Sequence, residues 1–218
     1  MGRVDEDPEH LYGQAFRWRG NPSKEKLSPM QPDDIALLFE QTGALLTGHF
    51  LLTSGLHSDK YLQCAKVLQW PDKAEACAHA LAVKLSFSKP DLVISPALGG
   101  IILGHELGRA LGCRALFAER EDGVLRLRRG FEIGLKEKCL VVEDVITTGG
   151  STMETMEVVR SQGGVVVGAA SLIDRSGGKA FLSVAYHSLW TVSIDTYSPE
   201  DCPLCKKGSK PVKPGSRV

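Results

Sequence analysis

The sequence contains no hydrophobic run long enough to cross a membrane, since no apolar stretch approaches the roughly 18–20 residues that a spanning helix needs. Residues 1–7 are acidic and contain no apolar core, so a secretory signal peptide is not expected. Glu6 also occupies the position at which a myristoylation motif needs Ser or Thr. These absences predict a cytoplasmic protein with no membrane partner.

The sequence also lacks a surplus of charge, because 26 Lys and Arg residues balance 26 Asp and Glu residues. A general nucleic-acid or anionic membrane surface needs an excess of positive charge, so neither partner is expected. Six cysteines among 218 residues do not make a disulfide scaffold. Four of them are scattered among apolar residues and are interpreted as reduced core thiols, namely Cys64, Cys77, Cys113 and Cys139.

Two common nucleotide-binding patterns are absent: no Lys follows a glycine turn as in a P-loop, and the Gly-x-Gly-x-x-Gly spacing is missing. The most informative segment is instead residues 139–152, CLVVEDVITTGGST. Its apolar residues predict a strand buried on both faces, and Met153, Met156 and Val159 predict a helix directly afterwards. The small-residue turn between them therefore lies at a helix N-terminus, where free N–H groups and hydroxyls can bind a phosphate.

Two adjacent acids, Glu143 and Asp144, lie at the end of this strand, where burying charge is costly without a partner. Their position suits hydrogen bonds from the vicinal hydroxyls of a sugar, so the segment predicts a site for a phosphorylated ribose. The alternative is an ordinary strand–turn–helix in which Gly149 and Gly150 only permit the turn. The paired acids favour the phosphate site.

Alternating strand and helix patterns predict an α/β fold with a central, mostly parallel sheet flanked by helices. Helices are predicted from about residue 33, from Pro71, after 96–100 and after 147–151; strands are predicted in 49–65 (two, around a Ser-Gly turn), 91–95, 113–118, a charged hairpin, 139–146, 165–173, 181–185 and 190–194. Ligands bind beyond the carboxyl ends of strands in such sheets. The turns at 95–100 and 143–151 are therefore expected to converge.

Residues 139–152 resemble the ribose-5-phosphate loop of the type I phosphoribosyltransferases, which use phosphoribosyl pyrophosphate (PRPP). Four more segments resemble the orotate branch of that family. They are a hairpin that covers the base (54–61, SGLHSDKY), a pyrophosphate loop (95–100, SPALGG), a flexible hood (117–130) and a strand end whose arginine binds the orotate carboxylate (171–175, SLIDR). The resemblance covers about residues 35–195.

The resemblance implies the type I phosphoribosyltransferase fold with a small hood subdomain, spanning residues 29–198. Residues 1–28 are then a flexible extension, and 199–218 a basic C-terminal tail with a Cys-x-x-Cys pair. The implied activity transfers ribose 5-phosphate from PRPP to orotate, giving orotidine 5′-monophosphate and pyrophosphate in pyrimidine biosynthesis. The implied cofactor is Mg²⁺, carried by PRPP without a protein ligand, and the implied assembly is a homodimer with a shared active site.

The resemblance also assigns residues to roles. The expected PRPP-binding residues are Glu143, Asp144, Val145, Ile146, Thr147, Thr148, Gly149, Gly150, Ser151, Ala97, Leu98, Gly99, Arg120 and Arg126. The expected orotate-binding residues are Thr147, Arg175 and Tyr61, and the expected catalytic residues are Arg120 and Asp144.

The chain departs from the family pattern in the pyrophosphate loop, directly before the Ser-Gly of the hairpin, and in the hood. Gly99 and Thr53 stand where many members have lysine, and the hood carries arginines instead of lysines and a histidine. Arginine can neutralise a leaving pyrophosphate but cannot readily act as a general acid at neutral pH. Four arginines within ten residues should repel one another unless an anion lies between them, which suggests a hood that closes over a neighbouring subunit's PRPP. The alternative is a solvated surface hairpin.

The pair Cys202 and Cys205 has zinc-ligand spacing but supplies only two of four tetrahedral ligands, and no second pair is present. The pair is interpreted as structural or exposed, with a zinc site shared between subunits as the alternative. His49 and His57 show no metal-ligand spacing and are interpreted as structural or surface residues. The lysine-rich C-terminus is interpreted as a solvated tail that could reach a neighbour's phosphate site.

Two other functions stay open at this point. A purine or uracil phosphoribosyltransferase would not need Arg175 to bind a carboxylate. A PRPP-binding regulator without catalysis would be expected to carry a DNA-binding domain or a broad basic face.

Overall fold

The computed structural model describes residues 30, 32–52, 54–85 and 89–214, so the predicted extension 1–28 and Thr53 lie outside the described residues. Its helices are α1 (Pro32–Gln41), α2 (Ala65–Leu68), α3 (Pro71–Lys84), α4 (Gly100–Leu111), α5 (Gly150–Ser161) and α6 (Pro203–Lys206). Its strands are β1 (Leu45–Leu51), β2 (His57–Leu62), β3 (Leu92–Pro96), β4 (Arg114–Glu121), β5 (Val124–Leu127), β6 (Lys138–Ile146), β7 (Val165–Asp174) and β8 (Tyr186–Thr191).

The central sheet has six strands in the order β5-β4-β3-β6-β7-β8. Strands β3, β4, β6, β7 and β8 pair in parallel, and only β5 is antiparallel to its neighbour. Strand β6 lies between β3 and β7, with Val141 opposite both Ile94 and Ala169. The predicted mostly parallel sheet is therefore confirmed, and the acidic end of β6 lies at its middle.

Helices cover both faces of the sheet, because alternate residues of β6 are buried on opposite sides. Leu140 and Val142 pack in a core with α1, α3 and α4, whereas Val141 packs in a second core with α5. All three side chains are completely buried. Burying an aliphatic side chain of this size contributes about 1.5–3 kcal/mol, so both cores hold the end of β6 in place.

The predicted Ser-Gly hairpin is confirmed as a separate two-stranded antiparallel sheet, β1–β2. The C-terminal segment returns to this hairpin: Val212 forms a bridge with Phe50, and Tyr197 forms one with His57. The last thirteen residues, interpreted as a solvated tail, are attached to the hairpin by the backbone of Val212, while the lysine side chains in their described part are exposed.

Two local predictions need correction. Residues 181–185 do not form a strand, because Leu182 turns inward and packs against Gly149, while Phe181 is exposed. After β7 the sheet has one strand, β8, where two strands were predicted at 181–185 and 190–194. The short helix α2 was not predicted, since four residues are too few to show a helical period.

The hood residues form the predicted hairpin, β4–β5, at one edge of the central sheet. Its turn contains Asp122 and Gly123, both with positive φ. Among the described residues, no helix is long and apolar enough to span a membrane.

Candidate active site

The turns that follow β3 and β6 converge, as predicted. A β-carbon at position 99 would lie only 2.6 Å from a carboxylate oxygen of Asp144, so the backbone of Gly99 directly adjoins this acid. Any side chain at position 99 would displace the Asp144 carboxylate. The glycine that replaces the family's lysine therefore lets the carboxylate lie against the turn.

The predicted phosphate loop, residues 147–151, leads from the end of β6 into the first residues of α5, which begins at Gly150. Gly149 has a φ of 82°, and a β-carbon there would lie 2.9 Å from Leu182 Cδ2, so only glycine fits this position. Thr147 and Thr148 are exposed in front of the helix. The N–H groups of a first helical turn have no partners within the helix, which makes this end of α5 suitable for an anion.

The two acids of β6 are poorly solvated. Burial raises the pKa of Glu143 to about 7, although its carboxylate accepts a hydrogen bond from the Thr152 hydroxyl. Burial also raises the pKa of Asp144, even though backbone N–H groups, including that of Val145, act in the opposite direction. Carboxylates in this setting gain from additional hydrogen-bond donors, such as the hydroxyls of a sugar.

A cavity of about 460 Å³ opens beside Asp144. Its walls bring together Asp144 and Val145 from β6, Thr147 from the loop, Tyr61 from the hairpin and Arg175 from the end of β7. The three residues predicted to bind orotate (Tyr61, Thr147 and Arg175) therefore share one cavity with an acid predicted to bind ribose.

Arg175 is held at the cavity by its own backbone. Its N–H donates to the Ile146 carbonyl at 2.8 Å, and the buried Asp174 carboxylate accepts from the N–H of Ser176 at 2.7 Å and of Gly178 at 3.2 Å. The side chain is half-buried, and burial lowers the pKa of its guanidinium. Every other arginine in the described part of the chain has an ion pair, whereas Arg175 has none there.

Each of the four hood arginines pairs with an acid of the chain, so protein carboxylates supply the anions that were expected between them. Arg120 pairs with Glu154 of α5 at 2.7 Å, and Arg129 with Glu119 at 2.8 Å. Arg128 and Arg126 both pair with Glu121, at 3.4 and 3.9 Å. The register of the hairpin places Glu119 opposite Arg126 and Glu121 opposite Val124. The acidic side chains therefore lie between the arginines. Arg120 and Arg126 do not line the cavity.

The remaining predicted PRPP residues lie in the two loops and at the start of α5. Ala97 donates its N–H to the Ala118 carbonyl at 2.8 Å, Leu98 is exposed, and the peptide bond between them is cis. Gly150 and Ser151 begin α5. Ile146 differs from the rest, because its side chain is fully buried in the apolar core and its carbonyl is bonded to Arg175. A part for Ile146 in PRPP binding would therefore not involve its side chain, and it stays a prediction.

Five residues of the cavity wall were not predicted from the sequence, namely Leu52, Leu62, Gln63, Cys64 and Ala65, whereas Ser54 belongs to the hairpin predicted to cover the base. Cys64 lies closest to the acids, with its thiol 3.7 Å from the Asp144 carbonyl oxygen. The available signal was position, since residues 62–65 directly follow the hairpin predicted to cover the base.

A second group of side chains corrects another interpretation. His49 and His57 meet Cys202 and Cys205, and the four ligand atoms all lie within 4.8 Å of one another. The two histidines thus have a metal-ligand arrangement that their sequence spacing did not reveal. None of the four lines the cavity.

Comparison with known proteins identifies the family. Residues 64–197 match the family model described as the phosphoribosyl transferase domain. The chain is 55% identical over 188 residues to the orotate phosphoribosyltransferase of Pelotomaculum thermopropionicum, covering 86% of this chain and 99% of the relative. It is 56% identical over 188 residues to the orotate phosphoribosyltransferase of Caldicellulosiruptor saccharolyticus, covering 86% of this chain and 98% of the relative.

A solved structure agrees with these relatives. The crystal structure of orotate phosphoribosyltransferase from Aeropyrum pernix matches with a TM-score of 0.59 and 28% identity, covering 72% of this chain and 93% of that chain. The resemblance found in the sequence is therefore confirmed over most of the chain. The chain belongs to the phosphoribosyltransferase family and, within it, to the orotate phosphoribosyltransferases.

Proposed function

We propose that this protein transfers ribose 5-phosphate from PRPP to orotate, giving orotidine 5′-monophosphate and pyrophosphate for pyrimidine biosynthesis. The identity to relatives of that name supports the proposal. Within the site, the observation that carries it is the half-buried Arg175, which faces a cavity and has no acidic partner among the described residues. Orotate carries a carboxylate that can act as the acidic partner of this guanidinium.

PRPP binds at the end of β6 in this proposal. Its 5-phosphate lies against residues 147–151 at the N-terminus of α5, where the geometry favours an anion. Its ribose hydroxyls donate to Glu143 and Asp144, whose burial leaves them in need of donors. Hydrogen bonds to charged groups contribute about 1.5–3 kcal/mol each, so this pair can supply much of the affinity for the sugar.

Orotate occupies the cavity on the other side of Asp144. Its carboxylate pairs with the Arg175 guanidinium, which can form two parallel hydrogen bonds. Leu52 and Leu62 offer apolar surface to the flat ring, and Tyr61 and Thr147 offer hydroxyls to its polar edge. The base nitrogen then lies on the same side of the sheet as the ribose.

The chemistry needs no nucleophile from the protein. Departure of pyrophosphate leaves an oxocarbenium-like carbon, which the orotate ring nitrogen captures. The carboxylate of Asp144 lies between the two substrate sites and can stabilise the positive charge that develops on the sugar. Holding both substrates in line contributes further, because the reaction becomes effectively unimolecular.

Mg²⁺ fits the donor set of this site. It typically takes one or two carboxylates with substrate phosphates and keeps several waters, and Glu143 and Asp144 are the carboxylates at this strand end. PRPP would carry the ion, and the two acids would contact it through its waters. When bound, Mg²⁺ neutralises charge on the departing pyrophosphate.

The hood and the assembly complete the proposal. The protein forms a homodimer in this proposal, and Arg120 and Arg126 reach the pyrophosphate of the neighbouring subunit. Its cysteines are free, which agrees with the reducing environment of the cytoplasm. The ion pair between Arg120 and Glu154 is exposed. Exposed pairs of this kind contribute about 0–1 kcal/mol, so Arg120 can exchange Glu154 for a pyrophosphate at little cost.

The direct test incubates the full chain with PRPP, Mg²⁺ and, separately, orotate, uracil, adenine or hypoxanthine, and measures pyrophosphate and nucleotide formation. The proposal expects orotidine 5′-monophosphate and pyrophosphate in equal amounts with orotate only. Turnover of a purine or of uracil in preference to orotate would make the protein a different phosphoribosyltransferase. PRPP binding without turnover of any base would make it a regulator.

A further inference from the structure

Four metal-ligating side chains from distant parts of the chain meet beside the hairpin. His49 lies on β1 and His57 lies on β2. Cys202 directly precedes α6, and Cys205 lies within the single turn of that helix. We define these four residues as the His–Cys cluster. We propose that the His–Cys cluster binds one structural Zn²⁺ ion.

The distances within the cluster match a tetrahedral site. Zinc lies about 2.3 Å from sulfur and about 2.0–2.1 Å from nitrogen, so ligand atoms around it stand about 3.3–3.8 Å apart. His49 Nε2 lies 3.1 Å from His57 Nδ1 and 3.5 Å from Cys202 Sγ. Cys205 Sγ lies 3.8 Å from His49 Nε2 and 3.3 Å from His57 Nδ1. The two remaining distances, from Cys202 Sγ to His57 Nδ1 and to Cys205 Sγ, are within 4.8 Å, so one ion at the centre would be close to all four atoms.

Hydrogen bonding alone does not account for this arrangement. His49 Nε2 faces three partners at once: His57 Nδ1, Cys202 Sγ and Cys205 Sγ. A ring nitrogen has either one proton or one lone pair, so it can satisfy only one of these contacts. The opposite ring atom, His49 Nδ1, is buried without a partner among the described residues, so no hydrogen bond there orients the ring. A cation bound by all four atoms explains why the ring points Nε2 into the cluster.

The ligand types favour zinc in a structural role. Two thiolates and two imidazoles in tetrahedral geometry are typical of Zn²⁺, and four protein ligands leave no open position for a substrate. His49, His57 and Cys202 are buried, so the site is shielded from solvent. The ion would stabilise the fold and would not take part in the reaction.

The cluster joins two segments that are otherwise linked by a few hydrogen bonds, one of them from the Ser58 hydroxyl to the Asp195 carbonyl at 2.8 Å. His57 and Tyr197 exchange two of these bonds, and Val212 makes two more with Leu51 and His49. The same hairpin supplies Leu52 and Tyr61 to the cavity wall. Zinc would therefore fix the C-terminal segment to the hairpin that covers the proposed base site.

The test measures metal content in the full chain, purified without chelators, by elemental mass spectrometry. The proposal expects about one zinc per chain in the wild type and less than about a tenth of that in Cys202→Ser and His57→Asn. The matched control Cys113→Ser changes a thiol outside the cluster and should keep its zinc. Retention of zinc in both cluster variants, or wild-type protein that holds no zinc even after incubation with the ion, would overturn the proposal.

A second measurement covers the case in which the variants fail to fold. Wild-type protein is stripped with a chelator under reducing conditions and reloaded with Co²⁺ or Zn²⁺. The proposal expects the visible absorption of tetrahedral, thiolate-ligated cobalt, and a Tm that falls by about 10 °C on stripping and returns with zinc. An unchanged Tm with no cobalt spectrum would contradict it, as would an intact mass showing a Cys202–Cys205 disulfide in metal-free protein. Neither readout depends on enzymatic activity.

Discussion

The two sides of the cavity are built in different ways. The side proposed to bind PRPP consists of loops that leave β3 and β6, the central strands of a six-stranded sheet whose buried residues pack on both faces. The side proposed to cover the base is a two-stranded hairpin, β1–β2, outside that sheet. A lone two-stranded hairpin is marginally stable in water, whereas a parallel sheet between helices is rigid.

The hairpin therefore depends on what it is attached to. Its attachments include the C-terminal segment through Tyr197 and Val212 and, in our proposal, the zinc ion of the His–Cys cluster. PRPP binding should therefore depend on the central sheet, while base binding should also depend on a distant part of the chain. Each change described next should therefore affect one side more than the other.

The largest effect is expected from Asp144→Ala, which removes an acceptor for a ribose hydroxyl from the rigid side. Loss of a charge-assisted hydrogen bond of about 1.5–3 kcal/mol should lower kcat/KM for PRPP by about one to two orders of magnitude. Steady-state kinetics with varied PRPP measures this. Glu157→Ala, at an exposed acid on α5, is the matched control and should behave as the wild type. Near-normal kinetics for Asp144→Ala would remove this acid from the site.

The next effect concerns the hood. If Arg120 stabilises the leaving pyrophosphate, Arg120→Ala should lower kcat by about tenfold and change KM by less than about threefold, because leaving-group charge peaks in the transition state. Glu154→Gln removes the other half of the same ion pair and should leave kcat nearly unchanged. Equal losses in the two variants would mean that Arg120 only fastens the hairpin to α5.

Mixing Arg120→Ala with Asp144→Ala tests whether the hood serves the neighbouring subunit. A hybrid dimer would contain one site with both residues intact, so part of the activity should return. Activity is measured after hybrids have been verified by native mass spectrometry. Verified hybrids without recovery would show that each chain closes its own site.

A smaller effect is expected from loosening the hairpin. Cys205→Ser should raise the KM for orotate by about 3–10-fold and leave the KM for PRPP within about twofold, since the hairpin supplies Leu52 and Tyr61 only to the base side. Cys113→Ser is again the control. Equal changes in both KM values would mean that the two sides are not mechanically separate.

The smallest effect is a pH dependence of stability from Glu143. Burial raises its pKa to about 7, so the folded chain keeps this proton at pH values where the unfolded chain has released it. The contribution of this group to stability is therefore greatest at acidic pH and declines as the pH rises to about 7. Glu143→Gln carries no such proton, so its Tm relative to the wild type should be higher at pH 8 than at pH 5. Thermal unfolding without substrates measures this, and an equal difference at both pH values would show that Glu143 titrates normally.

The sequence predicted the rigid side well because its signals are local. The strand, the small-residue turn and the helix of residues 139–161 are contiguous, and their patterns correspond directly to β6, the loop and α5. Arg175 and Tyr61 were assigned through a family resemblance, and the structure places both on the cavity. Their roles there stay predictions.

The hairpin of the other side was predicted, but its attachments were not, because they join residues that are distant in the sequence. His49 and His57 come together only through the register of β1–β2, which places His57 opposite Leu51, and the cysteines reach them from the far end of the chain. The hood shows the same limitation, since the pairing of Arg129 with Glu119 depends on how the hairpin folds. The strand predicted at 181–185 was wrong because β-prone residues in a loop resemble a strand when burial is unknown.

The most direct test of the central claim compares orotate with uracil, which has the same ring without the carboxylate, in the wild type and in Arg175→Ala. We predict that the wild type prefers orotate, by kcat/KM, and that Arg175→Ala reduces this preference by about 10–100-fold through a higher KM for orotate, with the KM for PRPP nearly unchanged. If the variant keeps its preference for orotate and loses affinity for PRPP instead, Arg175 belongs to the phosphate side and does not bind the orotate carboxylate.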